Sequence, residues 1–368
     1  MSPLPDHRRA VAYCSTCQKL CAFTCPVSGA TGHEAHTPTS KVDAVHQHLT
    51  GARSLDEHAA AAIYACAGCG RCTAHCRHES PVGAVLFEAR VEAVEEGEAP
   101  RSIDRLRAQF ALAGNPHGAD LAACARAVSR ETEGRAFFPG CTALAREPSM
   151  ARAAIDAAAG FGVRLALAAA CRRCCGYPLW AAGLRPEFIE HARAFAREVD
   201  GLGELVVSDP GCAVAMTRAY REVGVELRPK VVLLVDLLAD RLEYAFGRAP
   251  LPWNVVWHDA CQLGRVLGRY EGPRRLLRAA VGDFAEAPEH REDGGCSGGG
   301  GLLPLTMPEA SREIARRQAI ALDAPGRRVV TGCPSACRSF RRAGVDALDL
   351  FTVLARWVAA RDEDDGTG

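Results

Sequence analysis

The sequence predicts an α/β protein in which a helical amino-terminal domain precedes two duplicated α/β repeats, each built on a parallel sheet. Three observations carry that prediction. Two dense cysteine runs lie near the amino terminus, two matched series of strand, cysteine and helix follow after residue 135, and 368 residues give room for two or three domains.

The second cysteine run is the sharper of the two. Cys66, Cys69, Cys72 and Cys76 are spaced x2, x2, x3, the ligand run of a 4Fe-4S cluster. Three thiolates two residues apart on a tight turn each reach a different iron of one cube, and the fourth completes a neighbouring cluster. Cys14, Cys17, Cys21 and Cys25, followed by Pro26, supply that neighbour with spacing x2, x3, x3. The expectation is two clusters with exchanged fourth ligands. Cys14, Cys17 and Cys21 then pair with Cys76, and Cys66, Cys69 and Cys72 pair with Cys25. Structural zinc needs two separated cysteine pairs, and these cysteines are too crowded for it.

Around these runs, residues 1–118 read as a small helical, ferredoxin-like two-cluster domain, with helices at Leu55–Ala65, Pro81–Glu96 and Leu106–Ala113. The last is stopped by Gly114-Asn115-Pro116-His117-Gly118, a strong breaker, and 119–134 reads as a linker containing one helical stretch, Leu121–Val128.

Composition excludes several classes. With 44 basic and 44 acidic residues the chain is formally neutral, so no polyanionic partner such as nucleic acid is indicated. Only Lys19, Lys41 and Lys230 are lysines. Eighteen cysteines would suit a disulfide framework in a secreted chain, but Met1–Tyr13 is charged and carries no signal-peptide core, which points to a reducing cytoplasm. The most apolar stretch, Val231–Phe246, is broken by Asp236, Asp240 and Arg241, so no transmembrane segment is expected.

Residues 135–250 and 251–361 read as an internal duplication, followed by an acidic tail, 362–368. Strand Arg135–Phe138 ends at Pro139-Gly140-Cys141, and strand Asn254–Trp257 ends at His258-Asp259-Ala260-Cys261. Cys171, Cys174, Cys175 and Gly176 come next in the first half, and Cys296-Ser297 with Gly298–Gly301 in the second. Glu204–Val207 then leads to Cys212, and Arg328–Val330 leads to Cys333. The intervals agree, 33 residues from Cys141 to Cys174 against 35 from Cys261 to Cys296, then 38 against 37. Helices are expected at Met150–Ala159, Pro308–Leu322 and Asp346–Arg361. Alternating strands and helices imply a parallel sheet with its sites at the carboxyl ends of the strands. Adjacent cysteines diverge, so Cys174 and Cys175 suit two irons better than one. The glycines beside them allow close backbone approach and N–H donation to cluster sulfurs, which raises reduction potential. The plainer alternative is a buried apolar pair.

This pattern resembles the iron-sulfur oxidoreductases with two cysteine-rich CCG domains, which include heterodisulfide reductase catalytic subunits, the iron-sulfur subunits of glycolate and lactate oxidases, and a subunit of anaerobic glycerol-3-phosphate dehydrogenase. The resemblance rests on Pro139-Gly140-Cys141, Cys174-Cys175-Gly176, His258–Arg265 and Cys296–Gly301, and it covers nearly the whole chain. In the heterodisulfide reductase branch each repeat gives five cysteines to a non-cubane 4Fe-4S cluster that cleaves a disulfide. In this chain Ala215 stands where the fifth cysteine of the first repeat belongs, and Cys171 is a candidate substitute. Ser297 replaces the second member of the pair in the second repeat, and Cys337 comes one residue late. Four thiolates per repeat remain. They suffice for a cubane, or for a non-cubane cluster lacking one ligand, so one or two further clusters are expected beyond the two amino-terminal ones.

No catalytic residue is assigned. Gly298–Gly301 lacks the Lys-Ser/Thr of a phosphate loop and reads as a flexible turn, and Gly201-x-Gly203 is a weak signal. His75, His78 and His258 read as hydrogen-bonded to nearby backbone, and Asp259 either orients His258 or caps a turn. Cys124 reads as a small apolar residue, and Arg265 and Arg269 as solvated helix charges. Three functions are weighed. The first is an electron-transfer subunit joining a flavoprotein dehydrogenase, or a membrane-bound electron-transfer subunit, to an acceptor. It is favoured because no flavin or nicotinamide motif is present. The second is a heterodisulfide-reductase-like enzyme, and the third a redox or metal sensor or a zinc-stabilised module.

Overall fold

The computed structural model describes residues 4–245, 247–322 and 326–360. The tail 362–368 and Arg361 lie outside them. Short apolar runs make the strands: β1 (Arg135–Phe138), β2 (Leu165–Leu167), β3 (Glu204–Val207), β4 (Lys230–Leu233), β5 (Val255–His258), β6 (Ala285–Glu286), β7 (Arg328–Thr331) and β8 (Ala347–Asp349). They form two sheets, ordered β2-β1-β3-β4 and β6-β5-β7-β8, with every pairing parallel. The last residues of β1 and β3 are buried, as expected where helices cover both faces of a parallel sheet. The duplication is therefore structural: both halves have the same strand order.

In both sheets the chain steps outward from the first strand to the second, then returns past the first to place the third on its other side. That reversal opens a crevice at the carboxyl ends of β1 and β3, and of β5 and β7. The crossovers are helices Pro148–Gly160 and Arg185–Val199 in the first half, and Glu271–Val281 and Pro308–Ala321 in the second. The last helix is shorter than its sequence pattern suggested. It runs Leu350–Ala359, because Ala347–Asp349 pairs with β7 as a strand and Asp349 caps the helix by accepting from Phe351 N. This helix packs on Pro148–Gly160 of the first repeat, with Phe161 edge-on to Trp357.

The amino-terminal region is helical. Glu57–Tyr64 starts at the Asp56 cap and leads straight into the second cysteine run; Val82–Glu95 and Arg101–Ala113 follow it. Asn115 explains the stop at Gly114–Gly118. Its amide donates to Ala113 O at 2.7 Å and Ala119 O at 2.8 Å and accepts from His117 N, tying the loop into a rigid knot rather than a slack hinge. The expected linker holds helix Leu121–Val128.

One side chain ties the three parts together. Arg90, on helix Val82–Glu95, is fully buried; it donates to Ala181 O in the first repeat at 2.6 Å, to Gly301 O in the second at 3.1 Å and to Cys66 O in the cysteine run at 2.9 Å. Tyr64 and Phe87 flank the guanidinium at 4.9 and 4.5 Å. Where the second repeat meets the cysteine run the backbones touch. A Cβ on Gly301, at φ +57°, would lie 2.3 Å from Cys66 O and 2.5 Å from Ala67 C. The glycine run is therefore a close-packing surface and not merely a flexible turn. Gly301→Ala is expected to destabilise the protein by about 1–3 kcal/mol. Gly201→Ala, where a Cβ meets nothing within 4 Å, should stay within about 0.5 kcal/mol of the parent; denaturant midpoints of the two variants check both values.

Candidate functional site

The amino-terminal cysteines fall into two groups. Burial raises the Cys14 thiol to about 12, and the next influences on it are Cys21, Cys17 and Cys76. Burial also raises Cys21, helped by Cys76 and Cys17. Cys76 thus sits with the first run. Cys25, Cys66, Cys69 and Cys72 instead line one small cavity, together with Lys41, so Cys25 sits with the second. The outer group lies beside exposed Tyr13, Leu20 and Phe23; in the inner group burial pushes Cys72 well above the usual thiol range. Thiols held this high ionise on metal binding, when the ion replaces the proton.

The inner group has a feature that spacing did not reveal. Lys41 is 1% exposed, and its ammonium lies 3.6 Å from Cys25 Sγ. Among the described residues no carboxylate pairs with it. Arg90 is buried beside Cys66 with only carbonyls and rings around it. Arg265 donates to Cys69 O at 2.7 Å and to Gly294 O at 2.7 Å, so it is a half-buried clasp and not the solvated helix charge expected. Buried cations without anions are costly. A four-thiolate iron-sulfur cluster carries net negative charge, and these residues fit one: four sulfurs around a cavity, with cations against them.

Between the two repeats lies a cavity of about 270 Å³. The carboxyl ends of β1 and β3 and the segment after β2 bring Cys141, Cys212, Cys174 and Cys175 to it, and those of β5 and β7 bring Cys261 and Cys333. Cys141 and Cys174 sulfurs are 3.3 Å apart, and Cys175 interacts with both Cys174 and Cys212, so the first repeat assembles a compact four-thiol set. Gly176 N donates to Cys174 Sγ at 3.4 Å. Asp209 faces the same space, its carboxyl raised to about 7 by burial and then by the charge of Cys175, while Gly211 N donates to it at 2.8 Å. Gln262 reaches across from the second repeat to donate to Tyr177 OH at 2.6 Å. His117, from the breaker loop, is a wall residue, its imidazole lowered to about 4 by burial and by Arg146, Arg338 and Arg342.

The second repeat does not assemble an equivalent set. Cys296 packs with Cys69 of the amino-terminal run and with Cys261, and its closeness, with Arg265 and Lys41, favours the Cys69 thiolate. Ser297 lines the cavity in place of a thiol. Cys337, one residue late, turns away under the sheet and donates to Ala347 O at 3.4 Å. Cys171 likewise points away from the first-repeat thiols and donates to Phe137 O at 3.3 Å. The residues present thus fit a four-thiolate cluster in the first repeat, whereas the second brings three thiols, Cys261, Cys296 and Cys333, near one another.

Of the residues read as structural, His258 bonds Thr331 Oγ1 at 3.0 Å and Gly295 O at 3.3 Å, and burial lowers it to about 4. Asp259 does not orient it; it holds Arg274 with both oxygens and accepts from Trp257 Nε1 and Arg291 N. His78 stacks on Tyr13, His75 meets Asp293 at 3.1 Å, and Arg269 pairs with Asp236. Cys124 is half-buried against the core. Lys41, Arg90, Asp209 and Tyr177 were not singled out from sequence as site residues. For Lys41 the available signal was its rarity, as one of three lysines, beside Val42 on an amphipathic helix.

Comparison with known proteins agrees with this geometry. The family model for the 4Fe-4S dicluster domain matches residues 10–80, and that for the cysteine-rich CCG domain matches twice, at 135–217 and 255–340. The chain is 27% identical over 321 residues to a subunit of the fumarate reductase (CoM/CoB) of Methanothermobacter marburgensis, covering 82% of this chain and 62% of that protein's length. It is 26% identical over 319 residues to a subunit of the dihydromethanophenazine:CoB–CoM heterodisulfide reductase of Methanosarcina mazei, covering 79% of this chain and 75% of that one. It is 28% identical over 160 residues to lactate utilization protein A of Oceanobacillus iheyensis, covering 40% of this chain and 64% of that one. Among the described residues no helix is long and apolar enough to cross a membrane.

Because Cys171 and Cys337 face away from the cavity, Cys171→Ala and Cys337→Ala are expected to keep the iron content of the parent. Cys174→Ala should lose about four irons per chain; iron and acid-labile sulfide assays on anaerobically purified protein compare the three.

Proposed function

Because this chain belongs to the CCG-type iron-sulfur proteins, we propose that it is an electron-transfer subunit of an oxidoreductase complex, carrying electrons between a flavoprotein dehydrogenase and an acceptor. Cys14, Cys17, Cys21 and Cys76 hold an outer cluster, Cys25, Cys66, Cys69 and Cys72 an inner one, and Cys141, Cys174, Cys175 and Cys212 a third. When bound, a 4Fe-4S cluster supplies one-electron transfer with little movement of atoms. The observation that carries the reading is continuity: the outer thiols stand beside exposed side chains, Cys25, Cys66, Cys69 and Cys72 line one inner cavity, and Cys69 packs in one cluster with Cys296 and Cys261, the last of which lines the inter-repeat cavity. The relatives named as reductase or utilization proteins support a multi-subunit setting. The chain has no flavin or nicotinamide motif, so the organic redox step belongs to a partner. Where that partner is membrane-bound, this chain is held at the membrane through it. The division at residues 118, 134 and 250 forms part of the same proposal.

A second reading is favoured by the cavity itself. Thiols of both repeats face one space that also holds Asp209 and Tyr177. A disulfide reduced there takes two electrons and two protons and leaves as two thiols, and Asp209, raised to about 7 by burial, retains a proton near neutrality.

The test is anaerobic purification with iron, sulfide and flavin analysis and low-temperature electron paramagnetic resonance. About twelve irons per chain, no flavin, and reduction by a reduced flavoprotein are expected. Stoichiometric flavin on the chain alone sinks the relay reading. Thiol product from a disulfide and a strong one-electron donor moves the function to the second.

A further inference from the structure

We propose that Lys41 is the counter-charge that keeps the inner cluster reducible inside a site that would otherwise resist it. The inference deepens the relay reading and rests on it, because it assumes that both amino-terminal groups hold clusters. One-electron reduction adds a negative charge to a cluster already surrounded by four thiolates, and no bond forms or breaks. Burial penalises that added charge, since a low-dielectric interior solvates anions poorly. At the inner group the surroundings are apolar: Cys25 and Cys69 are buried and pack with Val27, Ala65, Ala67, Leu303 and Ile314. Nearby positive charge opposes this penalty.

The fold fixes where that charge stands. Lys41 sits in the first turn of helix Pro38–Leu49, whose cap is Thr37, so its backbone position is set. Its side chain is buried and its ammonium is 3.6 Å from Cys25 Sγ. Lysine is rare in this chain, and a buried lysine with no carboxylate among the described residues is otherwise unexplained. The other two lysines, Lys19 and Lys230, are exposed. The outer group differs. Its neighbours Tyr13, Leu20 and Phe23 are exposed. A fixed cation stands against the inner sulfurs, and among the described residues no lysine or arginine hydrogen-bonds to the outer ones. Arg90 helps, but it also braces three parts of the fold, whereas the Lys41 ammonium hydrogen-bonds to the Cys25 sulfur. Lys41 is therefore a tuning residue that acts through Cys25.

The experiment is a redox titration of the full chain followed by electron paramagnetic resonance, with Cys17→Ser used to identify the outer signal. Lys41→Met is expected to shift the reduction equilibrium of the inner cluster at least tenfold toward the oxidised form, about 59 mV for one electron, and to leave the outer cluster unmoved. Lys41→Arg should return it toward the parent value. If Lys41→Met fails to incorporate iron, Lys41→Gln, which keeps a hydrogen-bond donor and loses only the charge, takes its place. Parent protein without two amino-terminal clusters overturns both the relay reading and this inference. Both clusters present, with an inner equilibrium moved less than twofold in the neutral variants or with both clusters moved alike, overturns the inference alone.

Discussion

Arg90 is a full positive charge with no carboxylate beside it, buried where helix Val82–Glu95, the second cysteine run and both repeats converge. Its donors go to carbonyls of Ala181, Gly301 and Cys66. A hydrogen bond to a charged donor contributes about 1.5–3 kcal/mol, so three of them hold these backbones in fixed relation. The rest follows. Gly301 must be glycine because Cys66 and Ala67 press against it, Tyr64 reaches Ala182 O at 2.6 Å, and Arg185 of the first repeat pairs with Glu88 on the same helix as Arg90. The amino-terminal cysteine groups are thus held against the repeats rather than tethered to them.

The duplicated sheets show how one topology can carry two different outcomes. Equivalent strand ends bring Cys141 and Cys212 in one half, and Cys261 and Cys333 in the other, to a shared cavity. What separates the halves is one or two residues. The adjacent pair Cys174-Cys175 is kept in the first, whereas Ser297 and the displaced Cys337 leave the second without a four-thiol set. Cys296 lies beside both Cys261 and Cys69. The second repeat has the geometry of a bridge between the inner amino-terminal thiols and the cavity.

Buried charge is the common theme. Lys41, Arg90 and Arg265 gather around the inner thiols, and Asp209 stands among those of the first repeat. None is explained by stability alone, since desolvating unpaired charges works against folding. Each becomes reasonable opposite an anionic, thiolate-ligated centre or a site that exchanges protons.

Local sequence was enough for the fold class, the duplication and the chemistry of the cysteines, because those depend on periodicity and on short spacings that a turn translates directly into geometry. Residues such as Cys66, Cys69 and Cys72 could be read because their partners are neighbours in the chain. Strand β8 was absorbed into the final helix in that reading, since three residues give no period to count. Packing settles which thiols meet. Cys171 and Cys337 are cysteines in well-spaced places, yet they point under the sheets, and Lys41, twenty-five residues before Cys66, carries no motif. Side-chain direction and long-range burial are set by contacts between distant segments, and no local pattern encodes them.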